Sequence, residues 1–581
     1  MKTLILLLSL LVFLILHPSE LSAQQNYPEK FLVKVYLDGE QAIEKFRTME
    51  FDLATQKINK YAEVVASPEE LMLLAELGYQ TEIIPDFNSN PEVIAYPSYE
   101  EVSAQLLALA AAHPDIMNLS TLGYSQRQHL AIPLVKVSDN VRDEEDEPAI
   151  LFDGQHHARE PVGMLCTLVM LEYLLNNYGS NYQVTDWVDN TEIFFIPMLN
   201  VEGWKYLYDN NLGNPWWRKN MRENNGNTIF QPGVDGVDLN RNYNFNFRLG
   251  GSDNIASWTY RGPFGFSESE TRAKRDLTLE QKFVASITYH SYGEIILFPW
   301  NESPRPGDFN LLEEIAGDMA RLIPALDMVN SYEPVRSGCQ VGQSQCWMYG
   351  VGGVLEVLVE TGEVFIPSRE TGDKIAWDNL QSALYLLNRV QGPGIKGIIT
   401  DAVSGDPLEA ILSIKELDNG ASEPRFSNQA FGRYYRLLQP GTYTVEASLE
   451  GYHTQTVSDL TVSPGLLQEL NIQLEPNTTF SKEISFGESG NQNEPLSIYP
   501  NPFVSQTHIA LRTKISGQYQ LRIYNQFGQL IDILLDEYLS KGINELIWDG
   551  HGQNGQKLPK GLYIISLSGP DKLWTGKILK R

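Results

Sequence analysis

The sequence predicts an α/β protein with a mixed, largely parallel central sheet and flanking helices, followed by two all-β sandwich modules. Its 581 residues exceed what one ordinary hydrophobic core holds, so several packed units are expected. Between about residues 93 and 392, helical periodicity alternates with short buried-strand signals, which is typical of a sheet covered by helices. Beyond Gly392-Pro393-Gly394 the helical patterns end, and short strands with turn residues follow.

The first 23 residues have the layout of a cleavable secretory signal. Lys2 precedes an apolar run from Leu4 to Leu16, and Leu21-Ser22-Ala23 closes the segment. A membrane anchor is the alternative, but the run is shorter than the roughly 20 residues that span a bilayer. We therefore expect export and no transmembrane segment in the mature chain.

Five regions follow this signal. Residues 24–92 alternate strand-like and helix-like runs and are interpreted as a prodomain-like α/β segment. Residues 93–392 form the main α/β domain, and residues 393–475 a β-sandwich. Residues 476–494 are rich in Asn, Ser, Glu and Gly and are predicted to be a linker, and residues 495–581 form the second all-β module.

Composition excludes two kinds of site. The formal net charge of -29 argues against a nucleic-acid partner, because phosphate binding requires a clustered cationic surface. The three cysteines, Cys166, Cys339 and Cys346, are too few for a disulfide framework or a cysteine-based zinc site. Any metal must therefore use His and carboxylate. Cys339 and Cys346 are close enough for one loop disulfide, which leaves Cys166 as a buried thiol.

Candidate metal ligands stand at the ends of buried strands. His157 and Glu160 follow the strand signal at residues 149–152, and their spacing of three lets an imidazole and a carboxylate converge on one cation. His156 has no carboxylate three residues after it. His290 ends another apolar strand and is the candidate third ligand. Two His and one Glu leave the fourth position of a tetrahedral zinc open to water, as in catalytic sites.

Several ordered motifs surround these ligands. They are His157-Ala158-Arg159-Glu160, Trp217-Arg218-Lys219-Asn220, Gly236-Val237-Asp238-Leu239-Asn240-Arg241-Asn242-Tyr243, Tyr260-Arg261-Gly262-Pro263, Phe266-Ser267-Glu268, His290-Ser291-Tyr292 and Leu355-Glu356-Val357-Leu358-Val359-Glu360-Thr361. Over about half of the chain this set resembles the zinc carboxypeptidase family, which includes the pancreatic carboxypeptidases, bacterial carboxypeptidase T and the regulatory carboxypeptidases. The resemblance implies that family's fold and one Zn²⁺ per catalytic domain.

The same resemblance implies two catalytic residues. Glu360 is similar to the family's catalytic glutamate, a carboxylate that takes a proton from the attacking water and passes it to the leaving amine. Glu356, with the same strand parity, is the alternative and is expected to be a salt-bridged acid. Arg218 resembles the arginine that stabilises the tetrahedral oxyanion, with a surface salt bridge as its other interpretation.

Five residues are assigned to substrate binding by resemblance. Asn240 and Arg241 are similar to the pair that grips the terminal carboxylate, where a planar guanidinium binds both oxygens. Arg159 assists nearby or forms a buried structural ion pair. The remaining two, Ser291 and Tyr292, directly follow His290.

The sequence departs from the family in the loop that shapes the specificity pocket. The family's mobile tyrosine stands some eleven residues before the position of Tyr349, where this chain has Gly338, and Tyr332 is too far upstream to replace it. Cys346 replaces the aspartate that often precedes the Trp. The preferred terminal residue is therefore left open.

The accessory modules carry resemblances of their own. Residues 393–475 are similar to the transthyretin-like domain of regulatory carboxypeptidases, with a rigid spacer or solubilising domain as the alternative. The end module, with Ile498 to Phe503, Trp548-Asp549-Gly550 and Gly561-Leu562-Tyr563, resembles C-terminal sorting domains read by the type IX (Por) secretion system. That implies a Gram-negative bacterium, secretion machinery as a partner and a secreted or cell-surface location reached through the periplasm. An adhesive or carbohydrate-binding module is the competing interpretation.

The sequence thus indicates a secreted zinc metallocarboxypeptidase that acts on the C-termini of peptides and proteins. A zinc amidase acting on cell-wall peptides or side-chain amides is one alternative, because the same chemistry serves any amide. A peptide-binding homologue with weak or lost catalysis is another. Arg241 discriminates the carboxypeptidase from the amidase, since only the former needs a terminal carboxylate.

Overall fold

The computed structural model describes residues 30–47, 49, 51–55, 58, 60–85, 93–210, 216–300, 303–339, 342–477, 496–504, 506–525, 530–539, 541–552, 556–569 and 573–581. The predicted signal at residues 1–23 and nearly all of the predicted linker lie outside them. The chain divides into two compact units between Asn477 and Thr478. None of the helices in the described ranges combines the length and the apolar character that a membrane crossing requires.

The N-terminal segment is a three-stranded antiparallel sheet with two helices. Strand β1 (Phe31–Tyr36) lies between β2 (Tyr61–Ala66) and β3 (Gln80–Ile83), and the helices are α1 (Glu40–Arg47) and α2 (Pro68–Glu76). Ser67 and Glu70 form a capping box at the start of α2, which explains why that helix begins there. The segment has its own core around Val33 and Phe46.

An eight-stranded mixed sheet forms the centre of the main domain. Its strands are β4 (Met117–Tyr124), β5 (Ala131–Val137), β6 (Ala149–Gly154), β7 (Glu192–Ile196), β8 (Ala285–His290), β9 (Ile295–Phe298), β10 (Glu333–Arg336) and β11 (Leu355–Glu360). Their order is β10-β9-β11-β8-β6-β7-β5-β4, and the pairs between β11, β8, β6 and β7 are parallel. These central strands are buried along their whole length because helices cover both faces.

Eight helices accompany this sheet in the described part of the domain. They are α3 (Tyr99–Ala112), α4 (Val162–Asn177), α5 (Tyr182–Asp189), α6 (Val201–Asp209), α7 (Ser269–Gln281), α8 (Phe309–Arg321), α9 (Ser344–Gly350) and α10 (Arg369–Arg389). Helix α4 approaches the sheet very closely, because a Cβ on Gly154 would lie 2.7 Å from the backbone of Gly163. This contact holds the turn after β6 against the helix that follows it.

The rest of the first unit is a β-sandwich. Its strands are β12 (Gly394–Asp401), β13 (Ile411–Ile414), β14 (Arg425–Phe426), β15 (Arg433–Leu437), β16 (Gly441–Ser448), β17 (Gln455–Val462), β18 (Leu467–Glu469) and β19 (Ile472–Leu474). One sheet has the order β15-β12-β18, with β19 also paired to β12, and the other the order β14-β13-β16-β17. Residues such as Ile399 and Val445 fill the space between them.

The second unit is all β. Its strands are β20 (Leu496–Tyr499), β21 (Thr507–Thr513), β22 (Gly517–Asn525), β23 (Leu530–Leu539), β24 (Gly542–Trp548), β25 (Gly561–Ser568) and β26 (Leu573–Lys580). They form a sheet of order β20-β21-β24 and a sheet of order β23-β22-β25-β26 around a core that includes Phe503, Trp548 and Tyr563. The predicted fold class is confirmed: a mixed α/β domain with a central sheet, followed by all-β sheets.

Candidate active site

The topology brings the candidate residues to one edge of the sheet. Strands β6, β8 and β11 are adjacent and parallel, so their carboxyl ends meet there. His157 and Glu160 follow β6, His290 ends β8 and Glu360 ends β11. Glu360 lies directly opposite His290 in the strand register. Residues from distant parts of the chain thus converge because parallel strands share one direction.

His157, Glu160 and His290 form a tight, buried cluster. Glu160 Oε1 lies 2.8 Å from His157 Nδ1, and Glu160 Oε2 lies 2.9 Å from His290 Nδ1. The two Nδ1 atoms are 3.1 Å apart. These three side chains offer ligand atoms around a common point, in an arrangement that can hold a metal ion.

The donor chemistry fits zinc. The outer nitrogen of His157, Nε2, lies 3.2 Å from Asp238 Oδ1, and the tautomer with its proton on Nε2 turns the Nδ1 lone pair towards Glu160 and His290. A carboxylate that fixes the orientation of a ligand histidine is a regular feature of zinc sites. Burial lowers the pKa of His290, which favours the neutral imidazole that a metal requires. Asp238 was not singled out from the sequence, although it stands two residues before Asn240 in a recognised motif.

The two acids of β11 have different surroundings. Among the described residues, Glu360 Oε2 has no hydrogen-bond partner, and burial followed by the nearby Glu160 raises the pKa of Glu360 well above its usual value. Glu356 instead accepts from Lys274 Nζ over 3.1 Å and from Ser344 Oγ over 2.6 Å. Glu356 is therefore a salt-bridged acid, whereas one oxygen of Glu360 is unpaired among the described residues.

The candidate arginines differ in what binds them. Arg218 Nε donates to Asp238 Oδ2 over 2.8 Å, and its Nη1 lies 4.0 Å from Glu160 Oε1, beside the cluster. Arg241 is 8% exposed and donates to the carbonyl oxygen of Asn240 over 2.8 Å. No carboxylate forms an ion pair with Arg241 within the described ranges of the chain. This buried cation therefore has binding capacity for an anion that the described residues do not fill.

The N-terminal segment reaches into the site. Asp52, 2% exposed, accepts two hydrogen bonds of 2.8 Å from Arg159, and its Oδ1 lies 3.6 Å from Arg218 Nη1. Burial acts to raise the pKa of Asp52, but Arg159 and Arg218 outweigh it and hold that pKa below its usual range. Tyr292 donates to Glu63 of the same segment over 2.6 Å. Asp52 and Glu63 were not identified from the sequence, because no local pattern signals a contact across more than a hundred residues.

The remaining candidates lie in the same region. Ser291 donates its backbone N–H to Glu160 Oε2 over 3.3 Å, and its hydroxyl pairs with that of Thr361 at 2.9 Å. His156 is not one of the clustered ligands: its Nε2 bonds the Tyr243 hydroxyl at 2.8 Å, and its ring stacks on His290.

A disulfide joins Cys339 and Cys346, as their spacing suggested. Cys166 is free and buried. Tyr332 is also buried, and its hydroxyl accepts from the Gly362 N–H over 2.9 Å, so it is held in place rather than replacing a mobile tyrosine at Gly338.

Comparison with known proteins gives consistent matches. Residues 102–382 match the family model described as zinc carboxypeptidase, residues 394–475 match the carboxypeptidase regulatory-like domain, and residues 501–572 match the FlgD Ig-like domain. Carboxypeptidase B of Astacus astacus is 30% identical over 273 residues, which cover 45% of this chain and 84% of that protein. Carboxypeptidase D of Rattus norvegicus is 27% identical over 401 residues, which cover 65% of this chain but only 27% of that protein.

A solved structure supports the fold. The crystal structure of carboxypeptidase A from Helicoverpa armigera matches with a TM-score of 0.54 and 19% identity, over 62% of this chain and 98% of that one. The chain spans about a quarter of the length of the carboxypeptidase D relatives that it matches.

Proposed function

This chain belongs to the zinc carboxypeptidase family, and on that basis we propose that it is a zinc-dependent enzyme that hydrolyses the C-terminal peptide bond of peptides and proteins. One observation carries the proposal: Arg241 is a buried guanidinium close enough to Asp238 and Glu360 to feel their charge, yet without an ion-paired carboxylate in the described ranges. A terminal carboxylate supplies the charge that this site lacks. Such a contact restricts cleavage to the last residue of a chain.

The residues of the site divide the work of hydrolysis. Asn240 and Arg241 hold the terminal carboxylate and so position the last peptide bond. Glu360 takes a proton from the attacking water and delivers it to the leaving amine. Arg218 stabilises the negative charge that develops on the carbonyl oxygen. A zinc ion held by His157, Glu160 and His290 would supply Lewis acidity, polarising the carbonyl and lowering the pKa of a nearby water.

Substitution of Arg241 tests the exopeptidase assignment. Arg241→Ala is expected to raise KM for peptides with a free terminal carboxylate by roughly ten- to a hundredfold, because a charge-assisted bidentate contact is lost. The measurement is steady-state kinetics on matched peptides with free and amidated C-termini, with Arg321→Ala as an exposed arginine control. If Arg241→Ala leaves hydrolysis unchanged and amidated peptides are cleaved as well, the enzyme is an amidase instead.

We also propose that the protein is exported and that residues 495–581 are a sorting domain read by the type IX secretion machinery. The signal-like first 23 residues support export, and the β-sheet unit around Phe503 and Trp548 supports a folded sorting module. Fractionation of the producing bacterium is expected to find the protein at the cell surface or in the medium. Accumulation in the periplasm with residues 495–581 still attached would contradict the assignment.

A further inference from the structure

Helix α9 connects the carboxylate-binding residues to the β-sandwich. At its start, the Ser344 N–H donates to Asn240 Oδ1 over 2.8 Å. At its other end, the Gly350 carbonyl accepts from the Glu423 N–H of the sandwich over 2.7 Å. The helix has only seven residues, too few to be stable by itself, so its position depends on what holds its two ends.

A buried ionic cluster holds the second end. Asp308, 2% exposed, accepts from the Tyr349 hydroxyl of α9 over 3.0 Å. The same carboxylate accepts from Arg425 Nη2 over 2.7 Å and from Arg436 Nη2 over 3.1 Å. Both arginines belong to sandwich strands, β14 and β15 respectively. The sandwich thus supplies the cations that neutralise the acid to which α9 is bonded.

Side chains of the sandwich also bond the main-domain backbone at this point, and the two backbones approach closely at Gly307. Arg425 Nη1 donates to the Gly353 carbonyl, just beyond α9, over 2.7 Å. Asn419 of the sandwich donates to the Arg305 carbonyl over 2.8 Å. A Cβ on Gly307, next to Asp308, would lie 1.6 Å from the Leu417 carbonyl oxygen. Contact this close leaves Asp308 little freedom to move once the sandwich is in place.

We propose that the β-sandwich positions the substrate-carboxylate site: Arg425 and Arg436, through Asp308 and Tyr349, fix α9 and thereby Asn240. The inference rests on the proposed function only in the role given to Asn240. Removing a cation from a buried cluster leaves charge uncompensated, and the cluster rearranges to reach water. The helix then loses its anchor at Tyr349, and the bond from Ser344 to Asn240 is no longer held.

Arg433 provides a matched control on the same sandwich. It lies on β15, is 4% exposed, and pairs with Glu144 at 3.3 Å and Glu192 at 3.9 Å. It is therefore a buried arginine of the same interface whose partners are not on α9. Loss of Arg433 weakens the domain contact without touching Asp308.

The experiment compares Arg425→Ala, Arg425→Lys and Arg433→Ala in the full chain. We expect Arg425→Ala to raise KM for a free-carboxylate peptide about tenfold, with kcat within about twofold. Hydrogen exchange of residues 342–352 is expected to accelerate in the same variant. Arg425→Lys is expected to have a KM and an exchange rate close to those of the wild type, because it keeps the charge beside Asp308. Arg433→Ala is expected to change neither quantity.

Three outcomes overturn the inference. Equal KM increases in Arg425→Ala and Arg433→Ala would show general domain loosening. Unchanged KM with faster exchange would show that α9 does not position Asn240. Unchanged exchange in Arg425→Ala would show that the sandwich does not hold α9. Hydrogen exchange does not depend on catalysis. An inactive wild-type chain would contradict the proposed function, while the exchange comparison would still test whether the sandwich holds α9.

Discussion

At the level of single residues, two glutamates on one strand show how surroundings assign roles. Glu356 is neutralised by Lys274 in the core beneath the site. Glu360, four residues later, has an oxygen without a partner in the described part of the chain and lies opposite His290 in the strand register. Both side chains lie on the same face of β11, so their different partners, and not their orientation, separate the structural acid from the proposed general base.

This difference predicts the effects of substitution. Glu360→Gln is expected to lower kcat by about 10²- to 10⁴-fold, because the proton acceptor is lost, while zinc content stays near one ion per chain. His157→Ala is expected to lose both zinc and activity. Glu356→Gln is expected to lower stability more than kcat. Kinetics and elemental analysis of the purified variants check these results, and an active Glu360→Gln variant would contradict the assignment.

The ligand set could be predicted from the sequence because each ligand stands at or just after the end of a buried strand. The carboxyl ends of adjacent parallel strands lie at the same edge of the sheet. The role of Asp52 could not be predicted from the sequence, since its contact with Arg159 joins residues 107 positions apart. Nor did the sequence indicate that Lys274 lies between Asp153 and Glu356, because a lysine on a helix normally indicates a solvated face. Such contacts arise only from tertiary packing.

At the level of elements, strands buried on both faces were predictable and edge strands were not. The apolar runs at residues 149–152, 193–196 and 285–288 fall within β6, β7 and β8. Strand β10 is largely exposed, and only its pairing with β9 makes it a strand. Its sequence, Glu333-Pro334-Val335-Arg336, carries no alternating or continuous apolar signal, so tertiary context determines it.

The start of α7 contains a buried acid that gives this element a pH dependence. Burial and then Glu268 raise the pKa of Glu270 to about 8. The folded protein therefore retains a proton that the unfolded chain releases above its ordinary pKa of 4.5. The free energy of unfolding should fall as the pH rises from about 4.5 to about 8, by up to about 1.4 kcal/mol per pH unit.

Glu270→Gln is expected to remove this contribution, since the amide does not titrate. Calorimetric midpoints of the wild type and the variant, measured between about pH 5 and about pH 8, should diverge, with the wild type losing more stability. Glu280→Gln, at the exposed end of the same helix, is the control. Parallel curves for Glu270→Gln and the wild type would contradict the assignment.

At the level of the whole molecule, the N-terminal segment places an acid among the arginines of the site that the main domain builds. Asp52 binds Arg159 through two hydrogen bonds and lies close to Arg218, the residue proposed to stabilise the oxyanion. In this position the Asp52 carboxylate binds the cations to which we assign substrate and oxyanion binding. We therefore predict that Asp52 lowers the activity of the full-length chain.

Asp52→Asn is expected to raise the activity of the full-length chain by about tenfold or more, because the amide lacks the charge that competes for the arginines. Initial rates on a free-carboxylate peptide measure the effect, with Asp38→Asn as an exposed control in the same segment. If the two variants have equal rates, Asp52 does not block the site.

The order of residues along the chain determines when the contact between Asp52 and the arginines can form. A ribosome makes Asp52 more than a hundred residues before Arg159 and Arg218, and domains tend to fold as they emerge. The segment that carries Asp52 is therefore synthesised before the arginines that it contacts. If Asp52 restrains these arginines as predicted, a newly made chain carries that restraint from the moment Arg159 and Arg218 come together.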